Sequence, residues 1–323
     1  MSKTVIVGIT NSGKTCYFYG MLRKMMKGYH GFSIRVAEKD FAHLRTGIKR
    51  LGDRTLPVAE RFPVPSSMKE EYEMDLLYNL KKLDSFKWVD YPGELAEKGN
   101  EDFTNLLDGA TCLLLCVDGM AIQGTEDDID DIVDSIYNDK GGLEICHALQ
   151  QAERKYENGF PPVCILITKY DEVSPELRNM ELLTEIMKES FPILFHEGNG
   201  KNRMVTICPV TLGKEIMEGG KLDPKNVEKP ICFANYLIQA SILENVMQQA
   251  KSFIAGNQED VEKYKKKNVL YRLISKKPEP LTEEQKQAIG ELINKGKEDL
   301  DALRGVIEAL PLYINGVKTD WPD

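Results

Sequence analysis

Over the first two-thirds of the chain, short unbroken apolar runs alternate with longer amphipathic stretches. Runs such as CLLLCV and VCILIT lack the polar alternation of a half-exposed strand, so they read as strands covered on both faces. The pattern predicts strands at 3–8, 31–36, 70–79, 84–90, 110–117, 162–168 and 203–209, and helices at 14–27, 38–51, 100–108, 125–156, 179–190 and 229–254. Strands interleaved with helices imply an α/β fold with a doubly wound, mainly parallel sheet. EEYEMDLLY and DSFKWVDYPG lie too close together for a helical crossover, so they predict a hairpin and one antiparallel hairpin strand.

Past about residue 255 the texture changes. AGNQED reads as a boundary, Pro278 and Pro280 as a stop, and Thr282 with Gln285 as a capping-box start. Apolar positions from Ile289 to Leu310 recur at helical spacing, and YINGVKT fits a small Asn-Gly turn.

Composition narrows the class. The 323 residues are 42% hydrophobic and 29% charged, enough to bury a core. A net charge of −9 argues against a molecule built to coat nucleic acid or an anionic membrane. Seven scattered cysteines with no CxxC, several inside apolar runs, predict thiols in a reducing cytoplasm. The first glycine loop begins at Gly8, leaving no room for a signal peptide, and no apolar stretch reaches the ~18 residues of a membrane span. His30, His43, His147 and His196 show no metal-ligand spacing.

Three motifs carry chemistry. Gly8 to Thr15, GITNSGKT, matches G-x-x-x-x-G-K-[ST] between an apolar strand and a helix. Glycines at 8 and 13 let backbone N–H groups turn inward around an anion at the positive end of the helix. Lys14 can reach β- and γ-phosphate oxygens and the Thr15 hydroxyl can ligate Mg²⁺; Asn11, Ser12 and Cys16 belong to the same expected cradle. In FKWVDYPGE, Asp90 ends a strand three residues before Gly93, where its carboxylate can hold a magnesium-bound water and the Gly93 N–H can meet a γ-phosphate. A second D-x-x-G, Asp139 to Gly142, reads as a turn. Thr168-Lys169-Tyr170-Asp171 follows a buried strand; its terminal carboxylate can accept from both N1–H and the exocyclic amine of guanine, while the Lys169 stem lies along the base. After the last predicted strand, Cys208 to Thr211 offer a base-contacting loop, with Val210 and Thr211 as contacts; a plain strand exit is the alternative.

Together these motifs resemble the translation-factor-related (TRAFAC) class of P-loop GTPases over about residues 3–213. The resemblance implies a GTP/GDP switch with Mg²⁺, slow GTP hydrolysis, and a nucleotide-dependent surface for a protein effector. It also implies a G domain over 1–255 with an inserted first-switch region at about 28–69, and a helical C-terminal extension over 256–323. DYPGE, the long segment before it and the helical tail more narrowly resemble bacterial double-GTPase proteins, which implies a place in a conflict or defence system.

Departures from that class matter. Glu94 stands where many members carry the glutamine that orients the attacking water; its charge opposes an incoming phosphate. Lys14, Glu94 and Asn11 are the candidate catalytic residues. Thr10 crowds the route of an arginine finger supplied in trans, and Asn11 sits where cation-activated relatives bind K⁺, although turn geometry is the favoured explanation for an asparagine there. The first-switch hydroxyl stays open among Thr55, Ser66 and Ser67. A non-hydrolysing GTP-binding scaffold is the alternative function; a P-loop kinase is disfavoured because no arginine-rich lid is evident. Six acids crowd 125–134 and seven basic residues without an acid span 263–277. Both read as solvated helix faces or as docking charge; nucleic-acid or membrane contact by 263–277 is not favoured, and dimerisation stays open.

Overall fold

Two strands with almost no exposed position, Cys112–Asp118 and Val163–Thr168, lie side by side within a nine-stranded sheet. They belong to a computed structural model that describes residues 1–64, 68–93, 101–156, 160–196, 203–213, 216–266 and 282–322. Among these residues the strands are β1 (Ser2–Val7), β2 (Phe32–Val36), β3 (Glu70–Tyr78), β4 (Lys81–Asp90), β5 (Cys112–Asp118), β6 (Val163–Thr168), β7 (Met204–Pro209), β8 (Leu312–Ile314) and β9 (Val317–Thr319). The order is β2-β3-β4-β1-β5-β6-β7-β8-β9. The principal helices are α1 (Lys14–Met25), α2 (Glu38–Leu51), α3 (Val58–Arg61), α4 (Glu101–Leu107), α5 (Ile129–Asp134), α6 (Gly142–Lys155), α7 (Met180–Ser190), α8 (Pro192–Phe195), α9 (Lys229–Lys266) and α10 (Glu283–Ile307).

The seven expected strands form close to their expected bounds, but the sheet is mixed and not strictly doubly wound. Pairs β1–β4, β1–β5, β5–β6 and β6–β7 are parallel; β2–β3, β3–β4, β7–β8 and β8–β9 are antiparallel. Strands β3 and β8 run against the other seven, where one antiparallel strand had been expected. The second comes from YINGVKT: Asn315 and Gly316 take φ of 53° and 79°, the positive values a two-residue hairpin turn requires. The C-terminal part is therefore not purely helical.

The helix expected over 125–156 is also interrupted. Ile129–Asp134 passes into a π-helical turn, Ser135–Asp139, and α6 restarts after Gly141 at φ 74°. A Cβ on Gly142 would lie 2.8 Å from the Ile136 carbonyl oxygen, so the close return of the chain requires glycine there. The Asp139–Gly142 D-x-x-G is this junction. The capping box at Thr282 forms, with Thr282 N–H on Gln285 Oε1 at 3.0 Å and Gln285 N–H on Thr282 Oγ1 at 3.2 Å.

Alternate strand residues face opposite sides of the sheet, and helices cover both. Val5, Val7, Leu113, Leu115, Ile165 and Ile167 pack with Phe103, Leu149, Leu183 and Met187 in one core. On the opposite side Phe18 of α1 stacks on Trp88 at 4.8 Å and on Tyr72 at 5.2 Å, seating α1 on β3 and β4. Aromatic burial thus fixes the helix whose first turn carries Lys14 and Thr15. The chain divides into two compact units, Met1–Asn235 with Val306–Asp323, and Tyr236–Gly305. Within the second, Gly296 of α10 lies against Leu243 of α9. All seven cysteines are free thiols, six of them buried. No helix among the described residues is long and apolar enough to cross a membrane.

Candidate functional site

Parallel strands β1, β5, β6 and β7 all end at the same edge, so the loops that follow them gather there. The loop after β1 turns on Asn11 at φ 66° and Gly13 at φ 84° before α1 begins. Those left-handed residues let the chain curl back over the helix N-terminus. Gly8 meets a tighter limit: a Cβ there would lie 2.6 Å from the Cys116 carbonyl oxygen of β5. Ser12 is buried and structural. Its hydroxyl donates to the Ile9 carbonyl at 2.8 Å, and its own carbonyl accepts from Thr168 Oγ1 at 2.6 Å.

The Lys14 side chain is buried, and its ammonium donates to the carbonyls of Gly8 at 2.7 Å and Ile9 at 2.8 Å. One cation is thus held at the mouth of a helix whose first amides are already electropositive. Asp90 is buried at the end of β4, and its carboxylate takes a hydrogen bond from Thr15. Burial pushes its pKa up to about 6; Lys14 pulls it back, and Glu70, opposite it in the β3–β4 register, raises it again. Asp90 Oδ1 is buried with no hydrogen-bond partner among the described residues. Gly93 packs against the phosphate-loop candidate so closely that a Cβ would overlap the Thr10 backbone nitrogen.

At the other end, Lys169 adopts φ 48°, and its ammonium bonds the Asn11 carbonyl at 3.0 Å and Asp118 Oδ2 at 2.7 Å. This stretches the Lys169 stem between the two loops. Asp171 Oδ1 accepts from Thr211 Oγ1 at 2.5 Å, and the Tyr170 N–H donates to the Val210 carbonyl at 3.1 Å. The exits of β6 and β7 are therefore stitched together through Val210 and Thr211. Cys16 faces the same space, its thiol raised to about 12 chiefly by burial, with Lys169 opposing.

One cavity of about 320 Å³ is lined by Asn11, Gly13, Lys14, Thr15 and Cys16 from the first loop, Thr168, Lys169 and Asp171 from the second, and Val210 and Thr211 from the third. Of the expected site residues, Gly8, Ser12, Asp90 and Gly93 stand behind this lining as its support. Glu94, Ser66 and Ser67 lie outside the described residues. Thr55 is elsewhere: its hydroxyl donates to Asp53 Oδ1 at 2.6 Å, and it does not line the cavity.

No protein-family model matches the chain, and no curated protein does. Two solved structures show a partial similarity. The GTPase-like domain of S. cerevisiae Ski7, described as bound to GTP, matches 65% of this chain at 16% identity with a TM-score of 0.38. This chain spans 42% of that protein's length, under half. The signal recognition particle receptor SRb-GTP/SRX complex from Chaetomium thermophilum matches 58% of this chain and 78% of its own at 14% identity, with a TM-score of 0.33.

An apolar wall went unforeseen. Phe62, Pro63 and Val64 from the segment after α3, with Leu212, Ile216 and Val227, also line the cavity. No motif marks them, although the FPVP run beside an otherwise polar stretch was the available signal. Thr15 and Asp90 fit a hard divalent cation. Both offer oxygen, and the one orphaned buried oxygen beside them belongs to Asp90. Among the described residues no group of three or more His, Cys, Asp or Glu could hold a metal, so this is a pair that would leave positions for water and phosphate.

Proposed function

We propose that this chain binds guanine nucleotides in the cavity between Lys14 and Asp171 and hydrolyses GTP to GDP and phosphate. The observation that carries the reading is one cavity whose lining includes a lysine at a helix N-terminus and a carboxylate fixed by a hydroxyl. Lys14 and the N–H groups of Gly13 to Cys16 receive the phosphates. Asp171, held by Thr211, accepts from guanine N1–H and its amine; adenine offers no such pair and would leave the acid unpaired. Lys169 supports the base with its stem while its charge is spent on Asp118 and Asn11. Thr15 and Asp90 would hold Mg²⁺, which when bound would neutralise phosphate charge.

The close seat of Gly93 on Thr10 supports a switch, because a γ-phosphate arriving beside one must displace the other. That surface is the one offered to an effector protein. TRAFAC membership, a role in a bacterial conflict system and a cytoplasmic location belong to the same proposal; they rest on the motif set, on DYPGE with its long preceding segment, and on the seven free cysteines. The G domain over 1–255 with its insert at about 28–69 and the extension over 256–323 are proposed as its organisation.

The test is displacement of a fluorescent GDP from the full chain in Mg²⁺ buffer. GTP should displace it and ATP should not; equal displacement by ATP would overturn the guanine assignment. Multiple-turnover phosphate release then separates a GTPase from a binding scaffold.

A further inference from the structure

Arg61, the last residue of α3, is 1% exposed. Its Nε and Nη2 donate to the Leu51 carbonyl at 3.2 and 3.1 Å, and Nη2 also donates to the Gly220 carbonyl at 3.0 Å. Leu51 closes α2, so the guanidinium sits at the negative end of that helix. No ion pair to Arg61 forms among the described residues, although Asp53 feels its charge, and Nη1 is buried without a hydrogen-bond partner. A buried cation compensated by carbonyls alone is a poor way to stabilise a fold. Removing the guanidinium alone would leave the Leu51 and Gly220 carbonyls without these donors, so what it secures is the join between the two segments.

The two segments it joins both continue into the cavity. Phe62 and Val64 follow Arg61 on one side, and Leu212 and Ile216 precede Gly220 on the other. We infer that Arg61 is a positioning residue, a latch that holds these two apolar walls together around the nucleoside and sets how long it stays bound. The inference rests on the nucleotide reading above. It assigns Arg61 no contact with the ligand; it acts through the chain on either side.

The latch makes nucleoside retention and phosphate binding move apart. In Arg61→Met the chain should still fold, with a melting temperature lowered by a few degrees, because the Leu51 and Gly220 carbonyls lose their donor. Dissociation of N-methylanthraniloyl-GDP, followed by stopped flow on the full chain, should accelerate about tenfold, the loss of one or two charged hydrogen bonds. Competition by inorganic tripolyphosphate, which touches the Lys14 end only, should not change. Arg61→Lys, which keeps charge but not the fork that spans two carbonyls, should fall between. An unchanged off-rate in Arg61→Met overturns the latch. So does a fall in melting temperature accompanied by weaker tripolyphosphate binding, since that is general loss of structure. A wild-type chain that retains no labelled GDP overturns the nucleotide reading itself, and the latch with it.

Discussion

At the phosphate end of the cavity one continuous stretch, Gly8 to Thr15, supplies the turn, the amides, the lysine and the hydroxyl. At the base end the fixed carboxylate needs two loops from separate strands, joined by Thr211 on Asp171 and by Tyr170 on Val210. On the proposed reading the first would recognise an anion with backbone geometry that many sequences can adopt. The second would discriminate with one side chain, whose orientation depends on a partner 40 residues away. Affinity and selectivity should then be separable.

The largest effect should come from exchanging the selecting group. Asp171→Asn turns one acceptor into a donor, so GTP affinity should fall by on the order of 10³ while xanthosine triphosphate, with a carbonyl in place of the guanine amine, gains. Tripolyphosphate binding should stay the same. Lys14→Ala breaks the opposite end: GTP, xanthosine triphosphate and tripolyphosphate should all weaken together by about 100-fold, the worth of one charged contact to phosphate. Competition titrations with these ligands on both variants measure the separation directly. If Asp171→Asn weakened tripolyphosphate as much as GTP, the two ends would not be independent.

Asp90 sharpens the phosphate end further. Its carboxyl is raised from the ordinary 3.8 to about 6 in the fold. The folded chain therefore holds that proton more tightly than the unfolded one, and its contribution is complete below about pH 4 and lost as pH rises through 6. Without divalent cation, Asp90→Asn should stabilise the protein at pH 7 by up to about 2–3 kcal/mol and flatten the decline in stability between pH 4 and 6. The same variant should lose Mg²⁺-dependent stabilisation. Thermal melts across pH, in chelator and in Mg²⁺, give both readouts.

Legibility followed the same division. Strand bounds were readable because β5 and β6 are buried on both faces and so show unbroken apolar runs. The tight turn from Gly8 into α1 was readable because its geometry is local. Thr168–Asp171 was readable from its place after a strand; Val210 and Thr211 only as candidates, because the Thr211 hydroxyl has no meaning until Asp171 is beside it. Phe62 to Val64 carried only the weak signal of the FPVP run and Arg61 none, since an apolar wall and a buried arginine are defined by what the fold brings against them. The second antiparallel strand, β8, was hidden for the same reason: three residues have no periodicity, and their pairing with β7 is made across more than a hundred positions. Thr211→Val tests that nonlocal link. It should cost about tenfold in guanine-nucleotide affinity, the value of one hydrogen bond to a charged group, with little change for tripolyphosphate.

The smallest effect concerns the cation. Asn11 stands at φ 66°, a conformation asparagine tolerates better than most side chains, and its carbonyl is engaged by the Lys169 ammonium at 3.0 Å. Backbone geometry is thus sufficient reason for the residue, and the nearest positive charge to that carbonyl is already a lysine. GTP turnover should then be equal in K⁺ and Na⁺ buffers of the same ionic strength. Asn11→Gly, which keeps the left-handed turn open to the chain, should share that indifference. A rate that rises about tenfold in K⁺ for the wild type and not for Asn11→Gly would reverse the assignment, making the asparagine side chain an ion ligand at the phosphate end and joining catalysis to the half of the cavity that otherwise only binds.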